Sequence, residues 1–529
     1  MKYIGFKNFR RFENLGPIDL GNLTLLSGGN NSGKSTIVKA AMLALNYLKT
    51  KKFPSESGRN TYIGQIEYRK FYFDIPNVHV SSFERAINNL LDPESSTMTF
   101  FIRLMWFDVK IEVKCSENRR SAYGYVCRLN IYDGNKDINY GFDFNTSKMS
   151  ITFPFNKNND VESRVTELEE ELLQKKSVIN SEKDFVLVAE ANERIKTIEQ
   201  ELLKLKQTLI TPDFTFTLST YTEDTNVYYV TSLMNAFVHF SKETSYDKVA
   251  EKELKGSKNY IKTKEQDITQ SVFALNYLLN SYNIEFIGAH SASQKAVLTT
   301  YDTSDYTAQT IHQFFKSGIA IPDNEGVVRI DSLIKADSRK FDNFIIEKMK
   351  LFKVGNGLEI KTFKNESYTV DIIDENARVM PLSDKGMGSI QLMILFLRIV
   401  TMMKKYEFSQ IKPIILVEEP EQNLHPKLQS LLADLFYEVA ITHDFQLIVE
   451  THSEYLVRKM QVLFAANIKE NNIAEDELNE KIKVYYFPEQ AEPYSLTFRK
   501  NGRFENTFDS GFFDEASRWN RELNRLELK

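Results

Sequence analysis

The stretch LTLLSGGNNSGKST, residues 23–36, decides the fold of this chain. A compact apolar run leads into eight residues that match the pattern GxxxxGK[ST] in full, and apolar residues at helical spacing follow over 37–48. Glycines let backbone N–H groups curl around phosphate oxygens, and the N-terminus of the next helix favours negative charge. The stretch therefore predicts a strand, a phosphate-binding loop (the P-loop) and a helix.

The residue types of the P-loop indicate ATP and Mg²⁺ as its cofactors. The Lys34 ammonium is predicted to reach the β- and γ-phosphates, and the Ser35 hydroxyl to ligate Mg²⁺. The residues predicted to hold ATP are Gly28, Asn30, Asn31, Ser32, Gly33, Lys34, Ser35 and Thr36. A glycine loop that arose by chance would not also stand between a buried strand and a helix.

The run PIILVEEP, residues 413–420, is a buried strand that ends in two carboxylates. This is the Walker B pattern, with glutamate at the position that aspartate usually holds. Glu418 is predicted to contact the Mg²⁺ sphere, and Glu419 to polarise or position the water that attacks ATP. Taken alone, the pair could be a solvated cap of a strand, but the P-loop upstream favours the catalytic interpretation.

The run IVETHS, residues 448–453, is a third strand with polar residues at its end. His452 lies about thirty residues after the Walker B acids. A lone histidine at a strand end is more often structural, but this order of motifs favours a histidine that hydrogen-bonds the γ-phosphate. His452 is therefore predicted to be catalytic, together with Glu419.

The run LSDKGMGSIQ, residues 382–391, is a glycine-rich turn that opens a long apolar helix. Such a turn makes an anion-binding helix N-terminus, although an ordinary capped turn has the same composition. Because it lies upstream of Walker B, we expect it to bind the γ-phosphate of ATP held by a second copy of the chain. The residues of this signature turn predicted to act in trans are Ser383, Gly386, Gly388, Ser389 and Gln391.

Residues 161–209 differ sharply from the rest in composition. Apolar residues recur at heptad spacing in two arms, among mostly Glu, Lys and Gln. We expect an antiparallel coiled-coil hairpin that turns near residues 180–184, with a pair of surface helices as the alternative. Residues 60–150 have the composition of an antiparallel sheet, and the chain alternates strand and helix after residue 381.

Composition excludes several classes of protein. The net charge of −5 gives no global electrostatic case for nucleic acid, and two cysteines are too few for a disulfide framework. The longest apolar stretch, around residues 390–400, contains Arg398 and is too short to span a bilayer. We therefore expect a soluble, cytoplasmic protein without a membrane partner.

The order of P-loop, signature turn, Walker B and histidine resembles the ABC-type heads of the SMC and RecF class. The resemblance implies an α/β fold, an ABC-type ATPase head with mixed and antiparallel sheets around a P-loop core and the inserted hairpin. It also implies a D-loop at the interface of a head dimer, formed by Gln422, Asn423 and His425. The expected domains are 1–160 (N-terminal lobe), 161–210 (hairpin), 211–380 (remaining strands and a helical subdomain) and 381–529 (C-terminal lobe).

Other segments are similar to a narrower branch, the ATPases related to the overcoming-lysogenization-defect family. These segments are FKNFRRF at 6–12, IGAHSASQ at 287–294, EEPEQNLHP at 418–426, NGRF at 501–504 and GFFDE at 511–515. The branch implies anti-phage defence, as in the ATPase component of the PARIS system or the Septu ATPase, between which the residues do not decide. It also implies a separate effector, commonly a nuclease, and a phage-derived trigger.

Two alternatives remain at this point. One is a DNA-repair or chromosome-type ATPase that clamps DNA, which a basic patch of Lys49, Lys51, Lys52, Arg119 and Arg120 would favour. The other is an ATP-dependent scaffold in which slow hydrolysis only times assembly.

Overall fold

A computed structural model describes most of the chain. The described residues are 1–50, 69–76, 78–146, 148–153, 167–176, 192, 194–202, 214–219, 258–289, 292–302, 304–319, 321–331, 340–364, 366–407, 411–508, 513 and 515–527. The predicted turn of the hairpin near residues 180–184 lies outside them.

The strands of the described residues form three sheets. They are β1 (Tyr3–Phe9), β2 (Phe12–Asp19), β3 (Leu23–Gly28), β4 (Lys70–Tyr72), β5 (Thr97–Leu104), β6 (Phe107–Lys114), β7 (Tyr123–Asp133), β8 (Ile138–Asp143), β9 (Lys148–Phe153), β10 (Phe214–Ser219), β11 (Ile284–Ile287), β12 (Leu298–Thr299), β13 (Val327–Asp331), β14 (Gly357–Phe363), β15 (Ser367–Ile373), β16 (Val379–Pro381), β17 (Ile414–Glu418), β18 (Gln446–Thr451), β19 (Ile482–Phe487) and β20 (Tyr494–Ser495).

Ten helices accompany these sheets in the described residues besides the two helical segments of the insert. They are α1 (Lys34–Thr50), α2 (Phe83–Ala86), α3 (Lys258–Ser281), α4 (Tyr306–Lys316), α5 (Lys340–Leu351), α6 (Met387–Tyr406), α7 (Pro426–Tyr437), α8 (Glu454–Asn471), α9 (Glu475–Lys481) and α10 (Glu515–Glu527). A 3₁₀ turn, Leu382–Asp384, precedes α6, and a π-helical turn, Glu438–Thr442, continues α7.

The central sheet has the strand order β11-β17-β18-β3-β19-β20, and all its pairings are parallel except β19 with β20. Strands β3 and β18 are buried along their whole length, which explains their nearly continuous apolar sequence. Because parallel strands end at the same edge, the P-loop, Walker B and the histidine motif meet there.

Two antiparallel sheets flank this core. The larger has the order β10-β9-β8-β7-β6-β5-β1-β2, with β4 paired to β7, and its buried face packs with α1. The smaller has the order β12-β15-β14-β13, with β16 paired to β15, and belongs to the second hydrophobic core with α6. The predicted α/β class, with mixed and antiparallel sheets around a P-loop core, is confirmed.

Helix α6 is longer than the apolar stretch suggested by the sequence. Its 20 residues are long and apolar enough to span a membrane, but the helix is mostly buried inside the protein. The buried Arg398 donates hydrogen bonds to Glu285 (2.6 Å) and Thr310 (2.8 Å), and its guanidinium lies 4.4 Å from the ring centre of Tyr306. Arg398 therefore links α6 to β11 and α4 within the core through its hydrogen bonds and its contact with the Tyr306 ring.

The described parts of the insert are two helical segments, 167–176 and 194–202. Leu168, Ile198 and Leu202 are buried together between them, and Arg194 forms an ion pair with Glu171 at 2.8 Å. These contacts agree with the heptad assignment of both arms. The hairpin as a whole and the four domain boundaries stay predictions.

Candidate active site

The P-loop adopts a conformation that requires two of its glycines. Gly28 and Gly33 have φ values of +155° and +100°, in the region that favours glycine. A Cβ on Gly28 would lie 2.4 Å from the Phe487 carbonyl oxygen, and one on Gly33 2.4 Å from the Phe12 ring. Asn31, at φ 60°, completes the turn. A side chain at Gly28 would clash with Phe487, and one at Gly33 would clash with Phe12, so both positions require glycine.

The predicted ATP-binding residues all lie on this loop or on the first turn of α1. Lys34 is buried, and its ammonium donates hydrogen bonds to the carbonyl oxygens of Gly28 (3.1 Å) and Gly29 (2.8 Å). Burial lowers the pKa of Lys34, and the charge of Glu450 opposes that shift. Ser32 and Thr36 are buried, whereas the side chains of Asn30 and Asn31 are exposed at the loop's tip.

Glu450 is not among the site residues that the sequence predicts, yet it is the carboxylate in contact with the P-loop. The Ser35 hydroxyl donates a hydrogen bond to Glu450 Oε1 at 2.9 Å, and Lys34 Nζ lies 3.8 Å from the same oxygen. The cause is the strand order, since β18 lies between β3 and the Walker B strand β17. The feature of the sequence that could have identified Glu450 is its position directly after the apolar run Leu447–Val449.

Glu418 stands beside Glu450 in register, one strand further from the P-loop. Burial raises the pKa of Glu418 to about 7, the Glu450 charge adds to the rise, and Lys39 and Arg10 oppose it. The predicted Mg²⁺ contact of Glu418 stays a prediction.

Glu419 is held by a strained backbone and by two side chains. Its φ of 43° is rare for a residue other than glycine and costs about 1–3 kcal/mol. Its N–H donates to the Glu450 carbonyl oxygen at 2.9 Å. Its carboxylate accepts a hydrogen bond from the Gln422 side-chain amide and lies 3.5 Å from His452 Nε2. The His452 hydrogen bond holds the pKa of Glu419 below its usual range.

His452 is placed by the loop that follows β18. Its N–H donates to Glu421 Oε1 at 2.6 Å, and the next residue, Ser453, caps α8 through Leu456 N–H. Burial raises the pKa of Glu421, a second acid that the sequence does not single out. The structure thus brings both predicted catalytic residues, Glu419 and His452, into one pocket with the P-loop.

Part of the signature turn packs against its own chain, and part of it is exposed. A Cβ on Gly388 would lie 2.6 Å from the Asn423 carbonyl oxygen, and the buried Gln391 donates to the Glu419 carbonyl oxygen at 3.4 Å. Gly386 is exposed, and a Cβ added there would meet no atom within 4 Å among the described residues. It is the N-cap of α6, and no side chain forms a capping hydrogen bond there. Gly388 and Gln391 therefore contact their own chain.

The remaining signature residues, Ser383 and Ser389, are half-buried. In the part of the chain that the structure describes, no hydrogen bond joins them to their own P-loop. A contact of Ser383, Gly386 or Ser389 with a second copy of the chain stays a prediction.

The predicted D-loop residues contact their own chain. Gln422 holds the Glu419 carboxylate, and Asn423, at φ 59°, packs on Gly388. His425 is the N-cap of α7, where its Nδ1 accepts a hydrogen bond from Lys427 N–H at 3.3 Å. A contact of these residues across a dimer interface stays a prediction.

The pocket has the donor set that Mg²⁺ and a triphosphate require. Ligand atoms of Glu419, Glu450 and His452 lie within 4.8 Å of one another. Within the described residues, Glu418 Oε1, Glu450 Oε2 and Ser32 Oγ are buried without a hydrogen-bond partner. Mg²⁺ prefers carboxylate and hydroxyl oxygens and shares them with substrate phosphates, so these residues fit the ion.

The turn between β1 and β2 supports the P-loop from outside. Arg11 donates hydrogen bonds to the carbonyl oxygens of Asn31 (2.6 Å) and Glu489 (2.7 Å). Its guanidinium lies 5.5 Å from the ring centre of Phe12, the ring that meets Gly33. The FKNFRRF segment therefore fixes the loop's exposed tip.

The basic patch that would favour DNA is described only in part. Arg119 and Arg120 both pair with Glu84, at 3.5 and 3.8 Å, so their charges are partly neutralised. Residues 51 and 52 lie outside the described part of the chain.

The ionisation of Glu418 gives a prediction for stability. The pKa of Glu418 is about 7 in the folded protein, compared with about 4.3 in the unfolded chain. Its contribution to stability is therefore fully present below the unfolded pKa, and it is lost as the pH rises from there through 7. We expect Glu418→Gln to raise the free energy of unfolding at pH 8 by up to about 3 kcal/mol, and to add little at pH 4.5.

Thermal unfolding of the nucleotide-free protein at both pH values measures this. Glu477→Gln, at an exposed ion pair on α9, is the matched control, and a melting temperature equally raised at both pH values would contradict the assignment.

Comparisons with known proteins give one family match and similar solved structures. A family model described as "AAA ATPase domain" matches residues 1–457. No curated protein matches the sequence. Among solved structures, the Smc head domain of Pyrococcus furiosus, with an extended coiled coil and bound to the C-terminal domain of ScpA, is similar with 11% identity, 99% of each chain covered and a TM-score of 0.27. The SMC head domain of Thermotoga maritima has 10% identity, 87% and 91% coverage and a TM-score of 0.29. On the match over residues 1–457, this chain belongs to the AAA ATPase domain family.

Proposed function

We propose that this chain hydrolyses ATP at two composite sites formed between two copies of itself. The observation that supports this best is the placement of Glu419. A strained backbone and two side chains direct its carboxylate into the pocket that Lys34, Ser35 and Glu450 line. A residue held against its conformational preference at a phosphate site is typical of catalysis.

Each predicted residue has a chemical task in this mechanism. Lys34 neutralises phosphate charge, Glu419 orients the attacking water through its carboxylate, and His452 donates to a γ-phosphate oxygen. Mg²⁺, when bound, would be held by Ser35 and the neighbouring carboxylates and would supply Lewis-acid stabilisation of the phosphates. Phosphoryl transfer depends mostly on such positioning and charge stabilisation.

The N-terminus of α6 supports a composite site. Its N-cap, Gly386, is exposed and gives the helix no side-chain cap, so the first-turn N–H groups other than that of Ser389, which donates to the Gly386 carbonyl oxygen at 2.9 Å, are candidates for phosphate binding. Such N–H groups bind phosphate oxygens well. A second copy would therefore place its γ-phosphate there, and ATP would hold two heads together.

Ser389→Arg tests this arrangement. We expect ATP binding to be kept, because no hydrogen bond among the described residues joins Ser389 to its own P-loop, and the ATP-dependent dimer to be lost, because the arginine fills the proposed interface. Light scattering gives the mass with and without ATP, and Asn471→Arg, at an exposed position near the end of α8, is the control. A Ser389→Arg protein that still dimerises with ATP would remove the signature turn from the site.

For the biological role, we propose the cytoplasmic ATPase of an anti-phage defence system that acts with a separate effector, most naturally a nuclease, and responds to a phage-derived trigger. This rests on the resemblance to the overcoming-lysogenization-defect branch. The chain expressed with its genomic neighbours should reduce phage plaques, and Glu419→Gln should abolish the protection. The alternative, a DNA-clamping ATPase, predicts instead that duplex DNA accelerates hydrolysis by the isolated chain.

A further inference from the structure

Glu450 is the innermost carboxylate of the pocket. Its side chain is 5% exposed, and it lies on the strand directly between the P-loop strand and the Walker B strand. One oxygen, Oε1, accepts a hydrogen bond from the Ser35 hydroxyl and lies 3.8 Å from Lys34 Nζ. Its other oxygen, Oε2, is buried and has no hydrogen-bond partner in the described residues.

An unpartnered carboxylate oxygen is costly in a buried site. Protein interiors satisfy nearly all their polar atoms, so each exception calls for an explanation, and a bound ion is one of those that apply at a catalytic site. Ligand atoms of Glu419 and His452 lie within 4.8 Å of one Glu450 oxygen, so the Glu450 carboxylate is part of the same group of side chains.

The same carboxylate opposes metal-free ATP. A triphosphate bound by Lys34 and Ser35 would bring its negative oxygens next to the Glu450 and Glu419 carboxylates, and one ammonium group does not neutralise that charge. Like charges at a few ångströms in a partly desolvated pocket repel strongly. A divalent cation shared between phosphate and carboxylate oxygens turns this repulsion into attraction.

We propose that Glu450 is a ligand of the Mg²⁺ that accompanies ATP, through Oε2, while Oε1 keeps the hydrogen bond from the Ser35 hydroxyl. Glu450 thereby makes nucleotide binding depend on the metal, since it repels ATP that arrives without Mg²⁺. This assignment rests on the proposed function, namely that ATP binds at this P-loop. It gives Glu450 the metal contact that the sequence predicted for Glu418.

The test is nucleotide affinity rather than activity. ATP binding is measured by calorimetry with excess Mg²⁺ and with EDTA, for wild type, Glu450→Gln and Glu450→Met. Glutamine keeps the length and the hydrogen bond from Ser35, and methionine keeps only the length, so a folding defect of one variant does not decide the result. Glu454→Gln, at a half-exposed position on α8, is the matched control.

We expect EDTA to weaken ATP binding to wild type and to Glu454→Gln by at least about tenfold. In Glu450→Gln and Glu450→Met the difference between Mg²⁺ and EDTA should shrink to about threefold or less, because the repelling charge and the metal ligand disappear together. An unchanged metal dependence in these variants would overturn the role of Glu450. A wild-type protein that binds no ATP even with Mg²⁺ would instead overturn the proposed function.

Discussion

Glu419→Gln is expected to lower the rate of ATP hydrolysis by roughly 10²–10⁴-fold while ATP binding stays within a few-fold of wild type. The amide keeps the shape of the side chain and its contact with the neighbouring Gln422. It loses the negative charge that polarises water. Since binding depends mainly on the P-loop, only the chemical step should suffer.

The position of Glu419 explains why so large an effect is expected. The hydrogen bond from His452 keeps the pKa of its carboxyl low, so the group is ionised at neutral pH. The backbone φ of 43° and the N–H bond to Glu450 fix the direction in which the carboxylate points. A fixed anion near the γ-phosphate aligns the attacking water without reorganisation at the moment of reaction.

Phosphate release and light scattering measure the two halves of this prediction. The variant should form an ATP-dependent dimer that outlasts the wild-type dimer, because hydrolysis no longer separates the heads. Glu477→Gln serves as the control for loss of a surface glutamate. If Glu419→Gln hydrolysed ATP at near wild-type rate, a group other than Glu419 would have to orient the attacking water. If the variant stayed monomeric under all conditions, the composite site would be contradicted.

Much of this site follows from local sequence patterns. The P-loop, Walker B and the histidine motif are each an apolar run that ends in polar residues, and parallel strands bring such ends to one edge. The composition of residues 60–150 and the alternation of strand and helix after residue 381 likewise indicate an antiparallel and a parallel sheet. These features depend on residues close together in the chain, which is why the sequence alone predicts them.

Other features depend on which strands are neighbours. Glu450 contacts Ser35 because β18 lies between β3 and β17, and strand order is not visible in the local pattern. Gln391, which the sequence predicts to act in trans, also donates a hydrogen bond to the Glu419 carbonyl oxygen of its own chain, a contact that no local pattern indicates. Arg11 supports the P-loop through a contact between residues twenty positions apart, which no periodicity indicates.

Lys34→Met is the second change with a large expected effect. The ammonium is buried and already directed at the P-loop carbonyls, so phosphate oxygens would replace those contacts with charge-assisted hydrogen bonds. Such bonds contribute about 1.5–3 kcal/mol each. We expect ATP affinity to fall by about 10–100-fold and hydrolysis to fall with it. Lys7→Met, on the exposed face of β1, is the control.

The same substitution should also destabilise the nucleotide-free protein. Lys34 is the cation nearest the buried Glu450 carboxylate, at 3.8 Å, and removing one partner of a buried pair costs about 3–5 kcal/mol. A loss of ATP binding could therefore reflect unfolding rather than a missing contact. The double variant Lys34→Met/Glu450→Gln separates the two causes, because it removes both charges together.

We expect the double variant to melt close to wild type and still to bind ATP at least about tenfold more weakly. Stability would then return because no buried charge is left alone, whereas affinity would not return because the phosphates still lack their cation. If the double variant recovered both properties, Lys34 would be a structural partner of Glu450 and not a phosphate ligand. If neither recovered, the pair would not be the source of the instability, and the packing of the P-loop against Phe12 and Phe487 would be the place to look.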